Sequence, residues 1–363
     1  MSRVVYLHVG APKTGTTYLQ DRLALNKASL ARHAVHYPLL LHASQFRAAL
    51  DLLQMPWGGL QENVDGDWDA LAARVRRLDG TVVISHEILA AARPGQIKRA
   101  MASLKGSEVH LVYSARDLAR QIPAEWQEGV KHQRRIAYGA FVRQAQEARR
   151  TKPSMWFWRV QSLPDVLSRW SRGLPPDRVH LVTVPQAGAP RDLLWQRYCQ
   201  AFGIDPAWAP EESERENVSI GAAETLLLRR LNRRLRKAGL PSEEYRRLVR
   251  EAVVHQTMAR RPHMTKVALP PEAHPWARDV ADEWVQWVQG SGIDVVGDVE
   301  DLRPCPPPAD AAWVDPDRPR RGEMIDAALD AMVALALEAA KRPDPEEQLV
   351  GRVGRALRRL RPR

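Results

Sequence analysis

Cysteine is nearly missing from this chain: 363 residues contain two, Cys199 and Cys305. Thiols so widely separated match no metal-ligand spacing and build no disulfide framework, which excludes the small stapled extracellular folds and points to a reducing compartment. Long apolar runs are lacking too. None approaches the roughly 20 residues of a membrane-spanning helix, and the chain starts on a strand-like run instead of a charged leader with an apolar core. A soluble, cytoplasmic protein is therefore expected. No internal repeat is present. Lysine is scarce beside arginine while Ala and Pro are abundant, the composition of a GC-rich bacterial genome.

Acid is in deficit, 43 Asp and Glu against 54 Lys and Arg, for a net charge of +11. A field of that sign draws in anionic ligands. The basic residues are scattered through helical patterns without interleaved aromatics, so nucleic acid is not an expected partner. Even the densest central cluster, Arg229 to Lys237, carries Leu227, Leu228, Leu231 and Leu235 at helical spacing and reads as an amphipathic surface helix.

What the chain does hold is a sequence of apolar runs separated by helical stretches. Val4 to Val9, Val35 to Tyr37, Thr81 to Ser85, Val109 to Ser114 and Val179 to Val184 are strand candidates, so a mainly parallel sheet of about five strands with crossover helices is expected, an α/β fold. The first run breaks into Gly10-Ala11-Pro12-Lys13-Thr14-Gly15-Thr16-Thr17 before a helix with Leu19, Leu23 and Leu30 on one side. A strand that turns through two glycines into a helix aims backbone N–H groups at an anion. Lys13 adds a point charge, and Thr14, Thr16 and Thr17 add hydroxyl donors. The nucleotide-loop pattern G-x-x-x-x-G-K-[ST] needs Lys directly after the second Gly, where this chain has Thr16. A loop of this make-up suits a terminal group of lower charge than a γ-phosphate, one that needs no metal.

Residues 10 to 17 resemble the 5′-phosphosulfate loop, Pro-Lys-x-Gly-Thr-Thr, of the bacterial sulfotransferases that use 3′-phosphoadenosine 5′-phosphosulfate (PAPS). The resemblance implies a P-loop-like sulfotransferase fold, with Pro12, Lys13, Thr14, Gly15, Thr16 and Thr17 around the donor and Lys13 stabilising charge on the leaving oxygen. It also implies an Arg at the end of a later strand for the donor's 3′-phosphate, and Arg116-Asp117 stands in that place. The family's Ser eight residues on is Ala124 here, so either a neighbour such as Arg120 or Gln121 or backbone N–H groups take its place. A late polar loop closes over the 3′-phosphate in this family, making Arg215 and Asn217 further candidates, with Ser219 as a cap of the next helix.

Transfer to an acceptor hydroxyl or amine requires a base. His86 and Glu87 directly follow the third strand candidate, and His42 is the rival; the sequence leaves the three open. The loop at Gly10, His86-Glu87 and Arg116 all fall at strand carboxyl ends, where open α/β sheets gather their ligands. Residues 134–175 form a helical cap containing Met155-Trp156-Phe157-Trp158, in which packing accounts for most aromatics while Trp126, Trp156 and Trp158 are candidates for the acceptor cleft.

The resemblance reaches about residue 303. Residues 304–322 read as a Pro-rich, charged linker and 323–363 as a helical, Arg-rich extension. Leu349 to Arg363 hold six arginines and no acid, with Leu349, Val353, Leu357 and Leu360 at helical spacing, a pattern for a solvated tail, a membrane surface or a partner. The activity implied is metal-independent sulfuryl transfer from PAPS to a small molecule, glycan or lipid. The alternatives are a nucleotide kinase and a non-catalytic nucleotide-binding protein.

Overall fold

A computed structural model describes residues 3–39, 45–55, 57, 63–213, 219–306 and 312–341. Six strands, β1 (Val4–His8), β2 (Val35–His36), β3 (Thr81–Ser85), β4 (Glu108–Ala115), β5 (Val179–Thr183) and β6 (Asp294–Val296), form one sheet in the order β2-β3-β1-β4-β5-β6. Every pairing is parallel. The chain is an α/β protein whose sheet is flanked by helices, as the alternation of runs predicts. The sheet has one strand beyond the five expected. Asp294-Val295-Val296 is too short to give an apolar run, and only its pairing with His180 to Val182 makes it a strand.

The centre of the sheet follows from composition. β1 lies between β3 and β4, with Val4 opposite Thr81 on one side and Glu108 on the other. Both faces of β1 are covered, so it reads as a continuous apolar run without polar alternation. On one face, Val83, Val112 and Val182 pack against Leu19 and Leu23 of helix α1 (Thr16–Leu25), together with Leu30, Trp195, Tyr198 and Phe202. Helix α2 (Leu118–Lys131) follows β4, and helix α3 (Leu193–Phe202) follows β5 and ends at Gly203, whose φ of 62° is the left-handed stop the sequence announces.

The described chain divides into two compact units. The first comprises Met1–Gly129, Ile136–Ser219 and Val267–Asp315 and contains the sheet. The second comprises Val130–Arg135, Ile220–Lys266 and Pro316–Arg363. It is built on helix α4 (Ala222–Lys237), a π-helical segment Tyr245–His255 and helix α5 (Arg321–Ala340). Within it Asn232 donates to the Val130 carbonyl, Tyr245 donates to Asn232 Oδ1, and Arg229 is buried against Asp317. Arg230, Arg233, Arg234, Arg236 and Lys237 are exposed, the solvated face expected of this helix. Ser219 does not cap α4: the N-cap is Gly221, two residues on. Among the described residues no helix is long and apolar enough to cross a membrane.

Candidate functional site

The loop between β1 and α1 leaves the sheet at its centre. Gly15 is the N-cap of α1 with φ of 86°, and Lys13 also has positive φ, 67°. These left-handed residues tighten the turn so that the amides of Thr14 to Tyr18 donate to no carbonyl among the described residues. Five adjacent unbonded N–H groups at a helix start, with no acid in its first turn, make a cradle for negative charge.

Buried polar side chains hold the loop from below. Thr14 Oγ1 donates to the Ala11 carbonyl at 2.6 Å and lies 2.6 Å from Ser114 Oγ on β4. Ser114 Oγ donates to the Gly10 carbonyl at 3.0 Å and lies 3.2 Å from His8 Nε2, while His8 Nδ1 is 2.7 Å from Ser85 Oγ on β3. The three central strands are thus joined beneath the loop by a line of hydroxyls and one imidazole. Burial pushes His8 down to about 4, so the imidazole is neutral. The Pro12 carbonyl accepts from Gln121 and Gln161, and the Thr14 carbonyl from Tyr198. His8, Ser114, Gln161 and Tyr198 escaped the sequence reading. Their one signal was a polar residue inside an apolar run, visible for His8 and Ser114 alone.

The residues expected at the loop divide by what they face. Thr14 is buried and its hydroxyl is turned inward, leaving its amide to the cradle. Thr16 is buried and Thr17 half-buried. Lys13 Nζ sits 2.6 Å from Glu128 Oε2 on α2, a partner that sequence reasoning did not supply.

On the β4 side, Arg116 Nη1 donates to the Lys13 carbonyl at 3.2 Å. Its Nε is buried with no hydrogen-bond partner among the described residues, and burial, helped by Arg120, brings the guanidinium down to about 10. Asp117, the next residue in the chain, is taken by Arg120. Among the described residues Arg116 therefore makes no ion pair of its own beside the loop. Arg120 also donates to the Pro185 and Val184 carbonyls, and Gln121 donates to Pro12, so both brace the backbone around the site.

On the β3 side, His86 and Glu87 follow Ser85. Ile88 N donates to His86 Nδ1 at 3.3 Å, which places the proton of a neutral ring on Nε2. Burial holds His86 below the usual imidazole range against the pull of Glu87. Burial works against ionisation of Glu87, but His86, the residue's own backbone, Gln20 and Lys13 outweigh it and hold the carboxyl below the usual range. Gln20 donates to Glu87 Oε2 at 3.0 Å, and the Glu87 side chain remains 25% exposed. Phe46 stacks on His86 with ring centroids 5.0 Å apart, Trp57 lies 5.9 Å from Phe46, and Trp156 lies 6.1 Å from Trp57. Trp126 and Trp158 are buried, their indole N–H groups donating to the Ile136 and Ala145 carbonyls. Ala124 is half-buried on α2. His42, Arg215 and Asn217 lie outside the described residues.

The sheet order puts the ends of β3, β1 and β4 side by side, so Glu87, the loop and Arg116 share one edge. Such an arrangement can bind an anion at the loop, hold a second negative group at Arg116 and accept a proton at Glu87. No family model and no curated protein matches the chain. Among solved structures it is similar to a sulfotransferase from Alicyclobacillus acidocaldarius, at 14% identity across 70% of this chain and 97% of that one, with a TM-score of 0.36. The functional reading therefore stands on the geometry of the site.

Proposed function

We propose that this chain is a PAPS-dependent sulfotransferase acting on an acceptor hydroxyl or amine. The observation that carries the reading is the row of unbonded amides at the start of α1, with Lys13 beside it and Glu87 and Arg116 on the two flanking strand ends. A donor with two separated negative groups fits a cradle plus an arginine whose buried Nε has no partner among the described residues. In this reading the amides of Thr14 to Tyr18 and Lys13 take the 5′-phosphosulfate, and Arg116 takes the 3′-phosphate. Gln121, Gln161 and Arg120 keep the surrounding backbone in place.

The acceptor oxygen or nitrogen forms a bond to sulfur as the bond from sulfur to the 5′-phosphate oxygen breaks. The electron pair goes to that phosphate oxygen, where Lys13 and the amides stabilise it. The acceptor proton goes to Glu87, the better-disposed of the described base candidates. Glu87 is ionised and partly exposed, whereas the His86 Nδ1 lone pair is taken by Ile88 N. His86 Nδ1 lies 3.9 Å from Glu87 Oε2.

Calorimetry with adenosine 3′,5′-bisphosphate in the absence of divalent metal tests the donor site. The wild type binds, and Lys13→Ala and Arg116→Ala each weaken binding by about tenfold or more. Absence of binding, or a preference for ATP with Mg²⁺, overturns the proposal in favour of phosphoryl transfer. Release of adenosine 3′,5′-bisphosphate from PAPS with a panel of hydroxyl and amine acceptors separates an enzyme from a binding protein.

A further inference from the structure

Past Glu87, on the β3 side, two arginines carry charge that no acid answers. The 3₁₀ turn Glu87–Ala91 ends in carbonyls capped by side chains: Trp170 Nε1 donates to Leu89 at 3.1 Å, Arg169 Nη2 to Ala90 at 2.8 Å and Arg159 Nε to Ala91 at 2.6 Å. Arg169 Nη2 also donates to the Arg159 carbonyl at 2.9 Å, and Asp165 offsets part of its charge. Arg159 is different. Its Nε alone is engaged, and its two Nη groups bond nothing among the described residues. Arg93, two residues past the turn, is exposed, and its guanidinium makes no ion pair among the described residues. Burial and then the charge of Arg93 hold Arg159 below the usual arginine range, with no carboxylate pulling the other way. Like charges held together in this way repel, and an anion bound to both relieves the repulsion.

Aromatic rings link these cations to the base. His86, Phe46, Trp57 and Trp156 follow one another at centroid distances of 5.0, 5.9 and 6.1 Å. In the helix Trp156–Gln161, Trp156 and Arg159 are half-buried and the other four residues are buried, so these two share its open face at i, i+3 spacing. The 3₁₀ turn sets Ala91, where Arg159 Nε is fixed, about 8 Å from Glu87 along its axis. β3 and β4 lie on opposite sides of β1, so the flank that carries Arg159 is not the flank that carries Arg116. We propose that the acceptor is a ring-bearing anion: its hydroxyl or amine meets Glu87, its ring lies on Phe46, Trp57 and Trp156, and its oxyanion group binds Arg159 and Arg93. The identity of the reacting group rests on the sulfotransferase reading above, whereas the anion subsite rests on the two arginines.

Calorimetry with and without adenosine 3′,5′-bisphosphate tests this on two matched pairs, 3-(4-hydroxyphenyl)propanoate against 4-propylphenol and methyl β-glucuronide against methyl β-glucoside. In at least one pair the anion binds about tenfold or more tighter than its neutral partner, and the pair that responds tells an aryl from a glycosyl acceptor. Arg159→Gln keeps a donor for the Ala91 carbonyl and Arg93→Gln is at an exposed position. Each lowers the ratio by about threefold or more, and the double variant brings it close to one, while bisphosphate affinity stays within about a factor of two. Thermal unfolding of each variant confirms that the fold is kept. Equal binding within both pairs, preference for the neutral members, no binding of any of the four, or a preference that survives in the double variant overturns the proposal. Failure to bind the bisphosphate overturns the sulfotransferase reading instead, and an anion preference that the double variant loses without nucleotide then still establishes the subsite.

Discussion

Glu128 Oε2 lies 2.6 Å from Lys13 Nζ, so the one lysine of the anion loop already holds a carboxylate from α2. Side-chain exposures of 31% and 24% keep the pair in contact with water, which limits its worth to about 1 kcal/mol or less. A bound phosphate competes with Glu128 for the ammonium. Glu128→Gln is expected to tighten adenosine 3′,5′-bisphosphate binding about 2- to 5-fold with little change in unfolding temperature, read by calorimetry and thermal melts. Weakened binding instead would show that Glu128 positions Lys13 for the ligand.

Glu87 and His86 separate by kinetics. With an acceptor that turns over, Glu87→Gln is expected to lower kcat by about 10² to 10⁴ while donor affinity stays within a factor of two. His86→Asn keeps an acceptor for Ile88 N and is expected to lower kcat less. Because Glu87 is held below the usual carboxylate range, activity in the wild type persists through weakly acidic pH and falls as that carboxylate is protonated. A pH–rate profile of the wild type beside both variants reads this directly, the acid limb being lost in Glu87→Gln.

Gly15 shows how tightly the loop is fitted. A Cβ there stands 2.6 Å from Leu194 Cδ2 on α3, at a φ of 86° that L side chains rarely adopt. Gly15→Ala is expected to destabilise the protein by about 1–3 kcal/mol in denaturant titrations and to impair donor binding. Adding Leu194→Ala removes the clash and leaves the backbone strain, so it restores donor binding in part.

Stability is expected to depend on pH through His8. The folded imidazole is held at about 4 against an ordinary value of 6.5, so the unfolded chain takes up the proton first as the pH falls. The contribution is complete above pH 6.5 and is lost as the pH falls from 6.5 toward 4. His8 alone removes about 2 kcal/mol between pH 6.5 and 5, and His86, shifted the same way, adds to it. His8→Asn is expected to start less stable at pH 7, having lost contacts to Ser85 and Ser114, and to show a flatter slope in urea titrations at stepped pH.

The sequence by itself determined the elements that local chemistry specifies. Five of six strands were legible because buried parallel strands are unbroken apolar runs. The loop at Gly10 to Thr17 was legible because a strand, two glycines and a helix leave amides unpaired wherever they occur. Arg116 and the pair His86-Glu87 could be placed at strand carboxyl ends because each directly follows an apolar run, while the strand order that sets those ends side by side is a tertiary fact. Tertiary structure decided what depends on partners distant in the chain. Glu128 on Lys13, Ser114 under Thr14 and Gln161 on Pro12 are separated by 115, 100 and 149 residues, and no local pattern encodes such pairs. β6 exists by pairing alone. The inward turn of Thr14 and the occupied Nδ1 of His86 likewise follow from which atoms the fold brings within hydrogen-bond reach, where burial makes each polar group find a partner.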